Sequence, residues 1–196
     1  MRGLRLLAVG APVVFTAAWL LLGLTLDGYS ASRGTISALA AQGVPTRPWM
    51  TAALVLQGCG QAAAAVLARR RPRLPVVAVC LAVGGLGTLA VAAFPLSGST
   101  AGLHAASATA AFGGLHLGVL AGALTSRVPR WLRLTAVGAL AVALPDLAWF
   151  LAHLDSPAAW YGGSEKTFTT VLLGWCALLV VSLDPRPPRI GVRVRR

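Results

Sequence analysis

Long uncharged stretches decide the fold, and the clearest of them, residues 103–124, reads LHAASATAAFGGLHLGVLAGAL. A helix needs about 20 apolar residues to cross the roughly 30 Å hydrocarbon core of a bilayer. Within this stretch Gly114, Gly118 and Gly122 recur at every fourth position, so they share one face of a helix and let a neighbouring helix approach closely. The stretch therefore predicts a transmembrane helix that packs through small residues, and packing within the chain is favoured over a dimer interface.

Outward from this stretch, five further apolar runs have a similar length and character. None of them alternates polar and apolar residues with the period of two that a membrane β-strand requires. The sequence therefore predicts an all-α polytopic bundle of six helices that forms a single transmembrane domain over residues 1–196. The predicted spans are 6–26, 49–68, 74–94, 103–124, 134–153 and 165–183, and residues 184–196 form a basic cytoplasmic tail.

The composition excludes an ordinary soluble domain, because 57% of the residues are hydrophobic and only 11% are charged, against roughly 25% charged in soluble proteins. The formal net charge is +12, but fourteen of the 17 Lys and Arg residues lie before the first predicted span, between the second and third, between the fourth and fifth, or after the sixth. Short loops rich in Lys and Arg stay in the cytoplasm. Both termini are therefore predicted to be cytoplasmic in a multi-pass plasma-membrane protein. The cations are expected to contact anionic membrane lipid, and no nucleic-acid partner is expected.

The first loop, between spans one and two, carries a short helical pattern. Ile36, Leu39 and Ala40 have the spacing of one helical face, with Thr35 as a candidate N-cap and Gly43 as a candidate residue just past the C-terminus. This pattern predicts a short amphipathic helix on the outer surface that covers the bundle. The alternative is an ordinary ordered loop.

The few remaining polar residues concentrate in the half of the bundle that is predicted to face outward. Asp146 lies inside the fifth span, where an ionised carboxylate is costly, and His153 follows on nearly the same helical face about 10 Å away. His104 and Glu165 begin the fourth and sixth spans at the outer level. These four side chains are the candidate catalytic acid–base residues, and the alternatives are a polar ligand cradle or ordinary ion pairs at helix ends.

A metal site is a weaker alternative. His116 lies about 18 Å along the helix from His104, whereas zinc ligands lie about 2 Å from the ion, so the three histidines cannot share one metal. Only His104 and His153 with one carboxylate could do so, and neither a metal nor another cofactor is expected. His116, Gln57 and Gln61 lie deeper and are interpreted as hydrogen bonders between helices.

Four short motifs carry a family resemblance. They are Tyr29-Ser30-x-x-Arg33-Gly34-Thr35-Ile36-Ser37-x-Leu39 after the first span, Phe94-Pro95 closing the third, His104 with Phe112 in the fourth, and Gly163-x-Glu165-Lys166 opening the sixth. With them nearly the whole chain resembles the bacterial membrane family catalogued as domain of unknown function nine-nine-eight, and it is distantly similar to six-span membrane proteins of the DRAM type. The resemblance implies a six-helix fold and brings no established activity. It also implies an arginine where this chain has Lys166, and the two side chains differ in how they bind a carboxylate.

The residues that carry the resemblance coincide with the outward polar group. The binding or structural cluster expected there consists of Tyr29, Ser30, Arg33, Ser37 and Lys166. Our hypothesis is that the Arg33 guanidinium pairs with the carboxylate of Glu165 or Asp146 and holds the first loop over the mouth of the bundle.

Three functions remain open at this point. The first is a non-enzymatic integral membrane protein with an outward-facing polar pocket that binds a lipid or a small apolar ligand. The second is a membrane-embedded enzyme in which Asp146, His104, His153 and Glu165 do acid–base work on a lipid or isoprenoid substrate. The third is a small proton-coupled carrier that uses Asp146, although the cytoplasmic half offers few polar residues for inward access.

Overall fold

A computed structural model of the chain describes residues 1–71, 74–155 and 158–183. These residues form six α-helices and two short 3₁₀ turns, at Ser37–Ala40 and Gly98–Thr100, and contain no β-strand. The helices are α1 (Arg2–Thr25), α2 (Arg47–Arg69), α3 (Pro75–Ala93), α4 (Ala101–Leu124), α5 (Arg130–Ala152) and α6 (Tyr161–Ser182). All six are long and apolar enough to cross a membrane. The predicted all-α fold of six candidate membrane spans is confirmed.

Three helices begin about one turn earlier than the hydropathy pattern predicts. The helical backbone starts at Arg2 in α1, at Arg130 in α5 and at Tyr161 in α6. Hydropathy locates the apolar part of a span, whereas the helix continues through polar residues at its end. The earlier start of α6 matters for the site, because it places Glu165 and Lys166 within the helix rather than at its first residue.

Consecutive helices pack against each other, and α6 returns to contact α1, so that the bundle closes. Most connections are short, which makes sequential neighbours antiparallel. The starts of α1, α3 and α5 therefore meet the ends of α2, α4 and α6 at one end of the bundle. There the guanidinium groups of Arg5 and Arg71 both donate to the carbonyl of Leu183. We call this the basic end and the opposite one the loop end; Arg73 and the predicted tail 184–196 lie outside the described residues.

Glycines allow α3 and α4 to touch through their backbones. A methyl group added at Gly114 would lie 2.7 Å from the carbonyl of Cys80, and one added at Gly87 would lie 2.8 Å from the Cα of Ala111. At Gly122 the space is filled by the ring of Trp175 on α6. The predicted face of small residues is therefore used within the chain, by two different neighbours.

The amphipathic pattern of the first loop forms a single 3₁₀ turn. Its N-cap residue is Ile36 rather than the predicted Thr35, but the Thr35 hydroxyl still accepts a hydrogen bond from the backbone N–H of Ala38 at 3.1 Å. Ile36, Leu39 and Ala40 are all buried, so the predicted apolar face does pack onto the bundle. The turn ends at Ala40, because the next residue is already extended.

Candidate ligand-binding site

Lys166, one turn into α6, holds the first loop onto the end of the bundle. Its ammonium donates to the carbonyls of Ala31 at 3.0 Å, of Gly162 at 3.2 Å and of Gly34. The ammonium also lies 5.7 Å from the ring centre of Trp19 and 5.3 Å from that of Tyr29. An ammonium has three donors, and these three carbonyls accept from it. The side chain is only 5% exposed.

Glu165, the residue before it, is 3% exposed and has a different hydrogen-bond partner in the loop. One carboxylate oxygen, Oε2, accepts the backbone N–H of Ile36 in the loop at 2.7 Å. No other hydrogen bond and no ion pair joins this carboxylate to a residue that the structure describes. Two adjacent α6 residues therefore attach the same loop, Lys166 through carbonyls and Glu165 through an N–H.

Tyr29 and two glycines make the loop fit closely. The Tyr29 hydroxyl donates to the carbonyls of Gly34 and Thr35, each at 3.0 Å. A methyl group at Gly34 would overlap the Tyr29 ring, and one at Gly162 would overlap the loop backbone. Burial raises the pKa of the Tyr29 phenol above its ordinary value, and the nearby Glu165 carboxylate raises it further, so this side chain is a neutral donor. We call Lys166, Glu165, Tyr29 and the loop segment 31–36 the loop clamp.

Below the clamp lies a cavity, in which the centres of water molecules can occupy a volume of about 50 Å³. Five of the six helices and the loop line it, and α5 contributes nothing. Its polar lining residues are Ser37, Gln57, Gln61, Thr88, Glu165 and Thr169, and apolar side chains such as Phe15, Leu54 and Phe112 make up much of the rest. We call this cavity the chamber. A buried water needs about 10–15 Å³ by this measure, so the chamber has room for roughly three to five waters.

Several polar atoms in the chamber wall have no partner among the described residues. Both the oxygen and the nitrogen of the Gln57 amide are buried without a hydrogen bond, and so is the hydroxyl of Thr169. Gln57 is 2% exposed. By contrast, the amide oxygen of Gln61 accepts from the Thr88 hydroxyl at 2.9 Å. About 90% or more of buried polar groups in proteins are hydrogen-bonded, either to protein or to ordered water, so among the described residues the amide of Gln57 is an exception.

The structure corrects the hypothesis about Arg33. This residue is exposed, and its side chain makes neither a hydrogen bond nor an ion pair with any described residue. Lys166 takes the role instead, since a flexible stem can place a compact ammonium among converging carbonyls. Of the other predicted cluster residues, Ser37 lines the chamber, whereas the Ser30 hydroxyl meets only that of Ser32, at 3.1 Å on the surface.

The four candidate acid–base residues are not brought together. His104 pairs through Nδ1 with the carbonyl of Phe94, and His153 with that of Trp149, each at 2.8 Å. Asp146 is half-buried, and its carboxylate hydrogen-bonds to no described residue. Of these candidates only Glu165 lines the chamber.

The weak metal site built on His104 and His153 is likewise not assembled. Within residues 1–71, 74–155 and 158–183, no group of three or more His, Cys, Asp or Glu side chains could hold a metal ion. The deeper polar residues differ in their hydrogen-bond partners. Gln61 bonds between helices as predicted. His116 pairs through Nδ1 with Phe112 of its own helix, and its ring also interacts with the backbone of Ala143 on α5.

Sequence reasoning missed the chamber. Gln57, Thr88 and Thr169 come from three different helices and share no motif. The available signal was weak: an amide in an otherwise apolar span is costly unless it finds a partner. The sequence alone could not indicate that the partner is absent.

Comparison with known proteins supports the family resemblance that the sequence motifs carry. No curated protein and no solved structure matches this chain. A family model described as "Protein of unknown function (DUF998)" matches residues 9–182, which include all the residues of the clamp and the chamber. The chain therefore belongs to the DUF998 family.

Proposed function

We propose that this protein is a non-enzymatic membrane protein that binds a small ligand in the chamber, reached from the loop end. One observation carries the proposal: the amide of Gln57 is buried and unpartnered in a cavity that also contains the Glu165 carboxylate. Binding sites are typically concave and mostly apolar, with a few convergent polar groups. The chamber has this composition, and its size suits a small molecule or group rather than a whole lipid.

The orientation of the protein is part of the proposal. We infer that the basic end faces the cytoplasm of a bacterial cell and the loop end faces outward across the plasma membrane. The uneven distribution of Lys and Arg between the two ends supports this orientation. It follows that the clamped loop is the outer lid of the chamber, and that arginines at the basic end contact anionic lipid headgroups.

Cysteine labelling in intact cells tests both the orientation and the opening. The native Cys59, Cys80 and Cys176 are first replaced by alanine. Three matched variants then carry a single cysteine each: Ser30→Cys on the loop surface, Ser37→Cys in the chamber wall, and a variant at the basic end described below. A small membrane-impermeant thiol reagent should label Ser30→Cys quickly and Ser37→Cys more slowly, because Ser30 is exposed whereas Ser37 is half-buried and lines the chamber.

Ser126→Cys is the control at the basic end, where Ser126 is exposed between α4 and α5. It should react only after the cells are permeabilised. Labelling of Ser126→Cys alone in intact cells would reverse the orientation. A Ser37→Cys variant that stays unreactive while Ser30→Cys is labelled would show that the chamber does not open outward.

A further inference from the structure

We propose that the chamber binds one small monovalent cation, held between the Glu165 carboxylate and the Gln57 amide oxygen. This inference rests on the proposed function, because it names the class of ligand for the same site. The shared chemistry is a single positive charge on an ion about the size of a water molecule, and an alkali metal ion or ammonium both supply it.

The first argument is charge. Glu165 is buried, and the ammonium of Lys166 donates to the carbonyls of Ala31, Gly34 and Gly162 rather than to its carboxylate. Within the part of the chain that the structure describes, Oε2 of Glu165 accepts a hydrogen bond from the N–H of Ile36, and Oε1 accepts none. Removing a carboxylate from water costs several kcal/mol unless a partner compensates. The Lys166 ammonium compensates the charge of Glu165 in part, through space, but it does not bind Oε1, and a cation beside Oε1 would supply the missing ligand.

The second argument is the chemistry of the free atoms. The amide oxygen of Gln57 and the hydroxyl of Thr169 are both unpartnered in the chamber wall. Together with Oε1 of Glu165 they are hard oxygen atoms, which hard cations prefer. An anion would face the negative charge of Glu165, so this wall selects against it.

The third argument is the balance of charge and size. Among the residues that the structure describes, Glu165 is the only acidic residue that lines the chamber, and no basic residue lines it, which matches one positive charge. Ca²⁺ takes six to eight oxygen ligands, commonly from several carboxylates, and this wall offers one. The chamber has room for a small ion together with a few waters, and a small ion can approach oxygen ligands closely, whereas the methyl groups of a quaternary ammonium such as choline keep its charge away from them.

Thermal unfolding of the purified full-length protein in detergent tests the inference. The chlorides of Na⁺, K⁺ and ammonium are compared at equal ionic strength with choline chloride, whose methyl groups prevent close contact between the positive charge and oxygen ligands. At least one small cation should raise Tm saturably, by about 5–10 °C at a hundredfold excess over its Kd. Which cation does so distinguishes an alkali metal site from an ammonium site. If no small cation exceeds choline, the inference fails.

Three variants locate the effect. Glu165→Gln keeps an oxygen that can accept the Ile36 N–H but loses the charge, so the cation response should disappear. Gln57→Leu removes the amide and should weaken the response at least tenfold in concentration; it also decides the matter if Glu165→Gln fails to fold. Asp146→Asn is the matched control, because this carboxylate lies outside the chamber lining, and it should respond like the wild type. An undiminished response in a folded Glu165→Gln protein would overturn the assignment.

The two proposals fail in different ways. Outward labelling of Ser37→Cys without any cation response would keep the outward-facing site and reject the cation. A cation response lost in Glu165→Gln, in a protein whose Ser37→Cys variant cannot be labelled, would keep the cation and reject the outward route.

Discussion

Replacing Lys166 by methionine tests the loop clamp most directly. Methionine has a similar length and no charge, so the change removes the ammonium and keeps most of the packing. The ammonium makes two hydrogen bonds to the loop, with the carbonyls of Ala31 and Gly34. The third bond, to Gly162, is within α6 and does not hold the loop.

The magnitude follows from these contacts. A hydrogen bond to a charged group contributes about 1.5–3 kcal/mol, so the two loop bonds contribute roughly 3–6 kcal/mol before compensation. The variant no longer pays for burying an ammonium, and the Gly34 carbonyl keeps its bond from Tyr29. A net loss of about 3 kcal/mol is expected, which corresponds to a fall in Tm of about 6–12 °C for a chain of this size.

The assay is thermal unfolding in detergent followed by tryptophan fluorescence, with limited trypsin digestion at Arg33 as a probe of loop release. The control is Arg33→Met, which changes an exposed cation on the loop itself and should alter stability by less than about 0.5 kcal/mol. This variant lacks the tryptic site, so it is compared by thermal unfolding alone. Lys166→Arg should fall between the two, because a planar guanidinium cannot direct its donors to the same three carbonyls. A stable Lys166→Met protein beside a destabilised Arg33→Met protein would refute the clamp as described and restore the arginine hypothesis.

Two matched glycine pairs give further predictions. In Gly162→Ala the added methyl would overlap the loop backbone, whereas at Gly174 on the same helix nothing lies within 4 Å. Gly162→Ala should therefore lower Tm and speed tryptic cleavage of the loop. Gly174→Ala should leave the free energy of unfolding unchanged or raise it by up to about 1 kcal/mol. In Gly114→Ala the methyl would press on the α3 backbone, while Gly113 beside it is open. The former should cost about 1–3 kcal/mol and Gly113→Ala should cost nothing, as measured by unfolding in detergent; equal effects within either pair would contradict the close approach seen there.

The candidate site shows where sequence reasoning succeeds and where it stops. Tyr29, Ser37 and Lys166 were predicted in one cluster with Ser30 and Arg33, and Glu165 was predicted as an acid–base candidate. The structure places Tyr29, Ser37, Lys166 and Glu165 around the first loop, whereas Ser30 and Arg33 are exposed. Sequence reasoning could not predict which cation holds the loop, since Arg33 is close along the chain while Lys166 is more than 130 residues from Ala31.

Asp146 illustrates the same limit from the other side. A carboxylate inside an apolar span is conspicuous in the sequence, yet α5 packs so that it contributes nothing to the chamber. The rotation of a helix about its axis decides whether its polar residue faces a cavity, and in a uniformly apolar span no hydrophobic face indicates that rotation.

By itself, the sequence determined the six helices, the face of small residues on α4 and the short turn of the first loop. Each depends on residues that are close along the chain: the length of an apolar run, the spacing of glycines, and a threonine whose hydroxyl accepts a hydrogen bond from the N–H three positions later. Only the tertiary structure decided that the Lys166 ammonium holds the first loop and that Gln57 and Glu165 line the same chamber. These residues come from helices far apart in sequence, and the three-dimensional packing of the bundle brings them together.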